Sequence, residues 1–125
     1  MNRTMQLEKM EFDMTICKVT DEKVLPLNSD FCFVGKTDEE ISLVCRTVDA
    51  PKMTIARDDG WRGFRIKGTL DFSLTGILAK LSAILAEKQI GIFAISTFNT
   101  DYVLVKKENF AKAAKALSNA GYEII

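Results

Sequence analysis

Trp61-Arg62-Gly63-Phe64-Arg65-Ile66-Lys67 alternates apolar and charged side chains, and this stretch, read with the helical and strand-like runs after it, decides how the chain folds. Phe64 and Ile66 set against Arg65 and Lys67 have the two-residue period of a half-buried strand. Further on, Ile77, Leu78, Leu81, Ile84 and Leu85 form one apolar stripe at helical spacing, backed by Lys80, Ser82 and Glu87. Gly91 is placed to end that helix. Residues 92–97 and 102–107 are strand-length runs joined by the polar link Phe98-Asn99-Thr100-Asp101, which predicts a hairpin. Phe110, Ala113, Ala114 and Leu117 return to helical spacing, Gly121 suits a left-handed C-terminal cap, and residues 122–125 make a short last strand. The order is βαββαβ.

Working outward, the first half repeats this scheme in weaker form. Met10, Phe12, Met14 and Ile16 alternate with polar neighbours, and residues 31–35 and 41–45 frame a second hairpin around Lys36-Thr37-Asp38-Glu39. Helix signals are short there, because Pro26 interrupts residues 21–30 and Pro51 interrupts residues 49–53. Thr37-Asp38 in one hairpin and Thr100-Asp101 in the other point to an internal duplication. The turn-like Asp58-Asp59-Gly60 marks the boundary, so residues 1–59 and 60–125 are the expected units.

Composition narrows the function. The 17 basic and 17 acidic residues cancel, which removes the field that gathers nucleic acid or anionic lipid. Lys106, Lys107, Lys112 and Lys115 read as a solvated face. Without a histidine there is no Ser-His or Cys-His pair and no imidazole metal ligand, so no catalytic residue, metal or cofactor is assigned. Cys17, Cys32 and Cys45 are too widely spaced for a CxxC motif, and their odd number fits a reduced, cytoplasmic setting. The opening residues lack the apolar core of a signal peptide, and Lys80, Glu87 and Lys88 interrupt the most apolar stretch.

Leu70-Asp71-Phe72-Ser73-Leu74-Thr75-Gly76-Ile77-Leu78-Ala79, followed by Ile92-Phe93-Ala94-Ile95-Ser96-Thr97-Phe98-Asn99-Thr100-Asp101-Tyr102-Val103-Leu104-Val105, resembles the small tandem ACT-domain family related to the cytosolic arginine sensors. Residues 33–44 with Gly60-Trp61-Arg62 resemble the first unit of the same family. The resemblance implies an α+β chain of two ferredoxin-like ACT-type units in tandem, the first with reduced helices. It further implies a non-enzymatic, dimeric regulator that binds a free amino acid at an interface between units and acts on a separate protein. Asn99 stands where many relatives carry an acidic residue, so one negative charge that would favour a cationic ligand is missing.

Two segments are candidates for the ligand. Asp71, Phe72, Ser73, Leu74, Thr75 and Gly76 join a strand to a helix N-terminus, where unpaired N–H groups and the positive end of the dipole suit a carboxylate. Thr97, Phe98, Asn99, Thr100 and Asp101 offer hydroxyls, an amide and a carboxylate, with Asp101 suited to an ammonium. Plain structural duties compete with both: Ser73 or Thr75 as helix N-cap, worth about 1 kcal/mol, and Asn99 and Asp101 as ordinary turn residues. An RNA-recognition motif is not matched, since residues 102–107 lack its second aromatic and its glycines. The main rival is an interaction module without a small ligand.

Overall fold

Backbone hydrogen bonds convert these patterns into seven strands and two helices in a computed structural model that describes residues 5–67 and 76–125. The strands are β1 (Gln6–Val19), β2 (Cys32–Lys36), β3 (Ile41–Arg46), β4 (Ala56–Ile66), β5 (Ile92–Ser96), β6 (Asp101–Lys106) and β7 (Glu123–Ile124). The helices are α1 (Ile77–Glu87) and α2 (Phe110–Asn119). The chain separates into an N-terminal unit, Phe12–Trp61, and a C-terminal unit, Met1–Glu11 with Arg62–Ile125, so β1 and β4 each lend one part to either unit.

In the N-terminal unit the strand order is β2-β3-β1-β4. β3 pairs antiparallel with β1, Thr15 opposite Cys45, and with β2, Cys32 opposite Cys45. Both expected helices shrink to single 3₁₀ turns, Glu22–Val24 and Thr47–Asp49, because Pro26 and Pro51 come too soon after them for another turn to form. The core is correspondingly small: Cys17, Val19, Leu43 and Cys45, with Leu25, Cys32, Ile41 and Ala50 against them.

Asp58-Asp59-Gly60, expected as a turn, runs inside β4. The reason is its partners. The fully buried Thr15 hydroxyl donates to Asp59 Oδ1 at 2.5 Å, and Arg57 Nε donates to both oxygens of the same carboxylate at 2.9 and 3.1 Å. With its one proton spent on Asp59, Thr15 accepts from Thr47 Oγ1 at 2.9 Å. The left-handed φ of +81° that remains in the strand falls on Gly60, which tolerates it.

In the C-terminal unit β1 borders β4, β4 borders β6 and β6 borders β5. Residues 122–125 yield β7, which pairs in parallel with β1, Gln6 opposite Glu123 and Leu7 opposite Ile124. The place beside β4 therefore belongs to the opening residues of the chain, and Lys67 N–H donates to Gln6 O there at 2.9 Å. Phe64, Ile66, Leu81, Leu85, Val103, Val105 and Leu117 join Leu7 in the core, where the rings of Phe64 and Phe110 stack at 4.7 Å. Gly63 is a residue that the pattern did not single out: a Cβ there would run into Leu104 and lie 3.3 Å from Met10 Sδ.

Both helices end in the same motif. After α1, Gln89 N–H bonds Ala86 O and Ile90 N–H bonds Leu85 O; after α2, Gly121 N–H bonds Ser118 O and Tyr122 N–H bonds Leu117 O. These are Schellman caps, with Gly121 at φ +104° in the second and Gln89 at φ +60° in the first. Gly121 caps as expected. Gly91 does not, because α1 stops at Glu87 and Gln89 takes the left-handed position.

Candidate functional site

The C-terminal unit carries both segments singled out for ligand binding. Asp71, Phe72, Ser73, Leu74 and Thr75 lie outside the described residues. Gly76 is described and is itself the N-cap of α1, with φ +76° and no side-chain cap, so the cap falls on neither Ser73 nor Thr75. Its carbonyl accepts the first helical bond, from Lys80 N–H at 2.9 Å. A Cβ at Gly76 would meet nothing within 4 Å, so glycine serves the backbone conformation here and not a close contact.

Residues 97–100 form the link between β5 and β6, and Thr97 closes it twice. Its N–H and its hydroxyl both donate to Thr100 O at 2.9 Å. Phe98 is 79% exposed at the tip and Asn99 is exposed beside it. Thr100 turns the other way: its side chain is buried and its hydroxyl donates to Ile66 O at 2.8 Å. That bond ties the link to the last residue of β4, the strand from which the chain runs on toward residues 71–76. Thr100 therefore spends its proton on the scaffold, a duty the sequence could not disclose because its partner is 34 positions away. Asp101 opens β6 opposite Ser96 and is half-buried, and its carboxylate has no ion pair or hydrogen bond among the described residues.

Charge near this unit is paired along the sheet. Arg65 Nη2 donates to Glu8 Oε1 at 2.8 Å and Nε to the same oxygen at 3.1 Å, while its guanidinium stands 6.0 Å from the Tyr102 ring centroid. The hydrogen bond from Arg65 holds the Glu8 carboxyl below its ordinary value, against a smaller opposing effect of burial. Among the described residues no group of three or more Cys, Asp or Glu is placed to hold a metal ion, and no helix is long and apolar enough to cross a membrane.

The two hairpins are built alike. β2 and β5 start at 32 and 92, β3 and β6 at 41 and 101, and the 3₁₀ turns after them at 47 and 107, a constant offset of sixty residues. Thr37 N–H bonds Glu40 O as Thr97 N–H bonds Thr100 O, each at 2.9 Å. Thr37 thus corresponds to Thr97, and the shared Thr-Asp dipeptides are not equivalent.

Known proteins share this architecture. The ACT-domain family matches residues 56–119. A protein from Agobacterium tumefaciens has the same fold with a TM-score of 0.84 and 30% identity, over 99% of this chain and 94% of that one. A Vibrio cholerae protein of unknown function superimposes with a TM-score of 0.72 at 23% identity, over 93% and 89% of the two chains. The regulatory subunit of aspartate kinase from Thermus thermophilus does so with a TM-score of 0.64 at 12% identity, over 91% and 95%. No curated protein matches. With strand order, helix placement and the matched stretch in agreement, this α+β chain belongs to the ACT-domain family.

Proposed function

We propose that the chain is a non-catalytic regulatory protein that senses a free amino acid. Two ferredoxin-like units in tandem would form it, a reading supported by the sixty-residue offset between corresponding elements. The ligand carboxylate would lie on residues 71–76 at the start of α1 and its ammonium on the link, with Asp101 as counter-charge. The observation that carries this reading is the buried bond from Thr100 to Ile66 O, which anchors the link to the strand that leads into the loop. A carboxylate without a partner among the described residues at Asp101 adds to it.

The regulated partner is a separate protein and the working form a homodimer. A fold shared with the regulatory subunit of an aspartate kinase supports the regulatory role. The mechanism is linkage: the ligand binds one conformation better and raises its population, which changes the surface offered to the partner.

Thermal unfolding against each of the twenty amino acids tests the reading. The true ligand stabilises the native state by about 2.7 kcal/mol at a hundredfold excess over its dissociation constant. Asp101→Ala weakens binding about tenfold or more, the loss of one charge-assisted hydrogen bond. A flat response to all twenty refutes sensing and leaves the interaction module. One observation favours that second reading: Val48, Met53, Leu27 and Ile55 of the N-terminal unit are all more than half exposed.

A further inference from the structure

The shrunken helices of the N-terminal unit leave a cleft of about 360 Å³, a volume within the range of small-molecule sites. One wall is the segment after the first 3₁₀ turn, Leu25 to Ser29; the other carries Arg46 and Asp49. Ser29 Oγ donates to Asp49 Oδ2 at 2.7 Å and Arg46 Nε donates to the same oxygen at 2.9 Å. The carboxylate is thereby fixed through one oxygen alone. Its Oδ1 and both Nη groups of Arg46 have no partner among the described residues. The two side chains keep only 35% and 25% of their surface exposed, so their open atoms sit partly sheltered from water.

An Nη pair suits a carboxylate, which it can grip with two parallel hydrogen bonds. A lone carboxylate oxygen beside it suits an ammonium. Leu25, Pro26 and Leu27 supply an apolar wall. We infer that this cleft binds a small zwitterion with an aliphatic side chain: its carboxylate on Arg46, its ammonium on Asp49 and its side chain against Leu25 and Leu27. The Ser29 hydroxyl, and after it Arg46, holds the Asp49 carboxyl below its ordinary range, so the counter-charge is present at neutral pH.

The arrangement is peculiar to this unit. Sixty residues on, Lys106 and Asn109 replace Arg46 and Asp49, and α2 begins at the next residue, Phe110. The pair at Arg46 and Asp49 is followed by Ala50-Pro51, where no helix can grow over it. None of its residues belongs to the loop or link of the C-terminal unit, so this site stands or falls apart from the function proposed above.

Titration of the full ¹⁵N-labelled chain with L-leucine, L-isoleucine and L-valine tests the inference. Saturable shifts are expected at the amides of residues 27–29 and 46–49. The 2-oxo acid of leucine, which lacks the ammonium, and 3-methylbutylamine, which lacks the carboxylate, bind at least about tenfold more weakly. Arg46→Gln weakens L-leucine by a similar factor, and Asp49→Asn removes the preference over the 2-oxo acid. Spectra of the variants that match the parent away from the cleft establish that they fold. Absence of saturable shifts in the cleft at millimolar ligand overturns the inference. So does equal binding of the 2-oxo acid to the parent chain, or a response confined to residues 97–101 that Arg46→Gln does not alter.

Discussion

Thr100→Val isolates the bond on which the candidate link depends. The side chain is 6% exposed and its hydroxyl reaches Ile66 O at 2.8 Å, so valine fills the same space while removing the donor. Losing that donor from a buried carbonyl costs about 1–3 kcal/mol, and the extra methyl returns roughly 0.8 kcal/mol by its burial. The expected net loss is about 0.2–2 kcal/mol. For a chain of 125 residues that lowers the midpoint of thermal unfolding by up to about 8 °C. Thr100→Ser keeps the donor and loses one buried methyl, a cost of roughly 0.8 kcal/mol. Urea unfolding at constant m-value gives the two free energies, and amide exchange locates the change: protection falls at residues 97–100 in the valine variant and holds in the serine variant. A valine variant as stable as the parent, or one whose amides at residues 97–100 keep full protection, refutes the role given to the Thr100–Ile66 bond.

The two helix caps respond in opposite directions. A Cβ at Gly121 would meet nothing, so Gly121→Ala loses only backbone freedom at φ +104°, about 1 kcal/mol, whereas Gln89→Gly relieves a non-glycine residue at φ +60° and gains up to about 1 kcal/mol by urea unfolding. Glu8 contributes stability that is full above its ordinary value of about 4.5 and is lost as the pH falls through its lower folded value; Glu8→Gln flattens that acid limb of the stability curve, and an unchanged limb counts against the Arg65 bond. Burial raises the Cys45 thiol to about 12, with Cys17, Cys32 and Asp49 adding to it. Alkylation with mass-spectrometric readout is therefore expected to reach half-buried Cys32 first and buried Cys45 last.

What could be read in the sequence was whatever a single element writes into its own residues. The stripe from Ile77 to Leu85 is α1, and the run after Tyr102 is β6, with Val103, Leu104 and Val105 buried, because side-chain periodicity is a local consequence of backbone geometry. The left-handed cap at Gly121 was legible for the same reason. At the other helix, Gln89 takes that conformation beside bonds to Ala86 and Leu85, which the residue type does not advertise. In β1 the period itself changes phase: Met10 and Met14 are buried on even positions, then Thr15, Cys17 and Val19 on odd ones. No single alternation describes it, and Phe12 and Ile16 end up only partly covered.

The repeat was written more in burial than in residue identity. Ile41-Ser42-Leu43-Val44-Cys45-Arg46 and Asp101-Tyr102-Val103-Leu104-Val105-Lys106 are identical at no aligned position, yet both bury their third to fifth residues and end at a basic residue before a 3₁₀ turn. Selection for a buried triplet fixes size and apolarity and leaves the letters free, so a chance Thr-Asp match was easier to see than the true correspondence of Thr37 and Thr97. Partners distant in sequence were beyond reach for a related reason. Nothing in residues 6–11 announces that they lie beside β4, or that β7 will pair with them in parallel, because a strand's neighbours are chosen by backbone groups common to every residue. The same holds for the open edge of Arg46. Its sequence neighbours predict an ion pair three residues on, but the space above it exists because Pro26 and Pro51 cut short the helices that would have covered it.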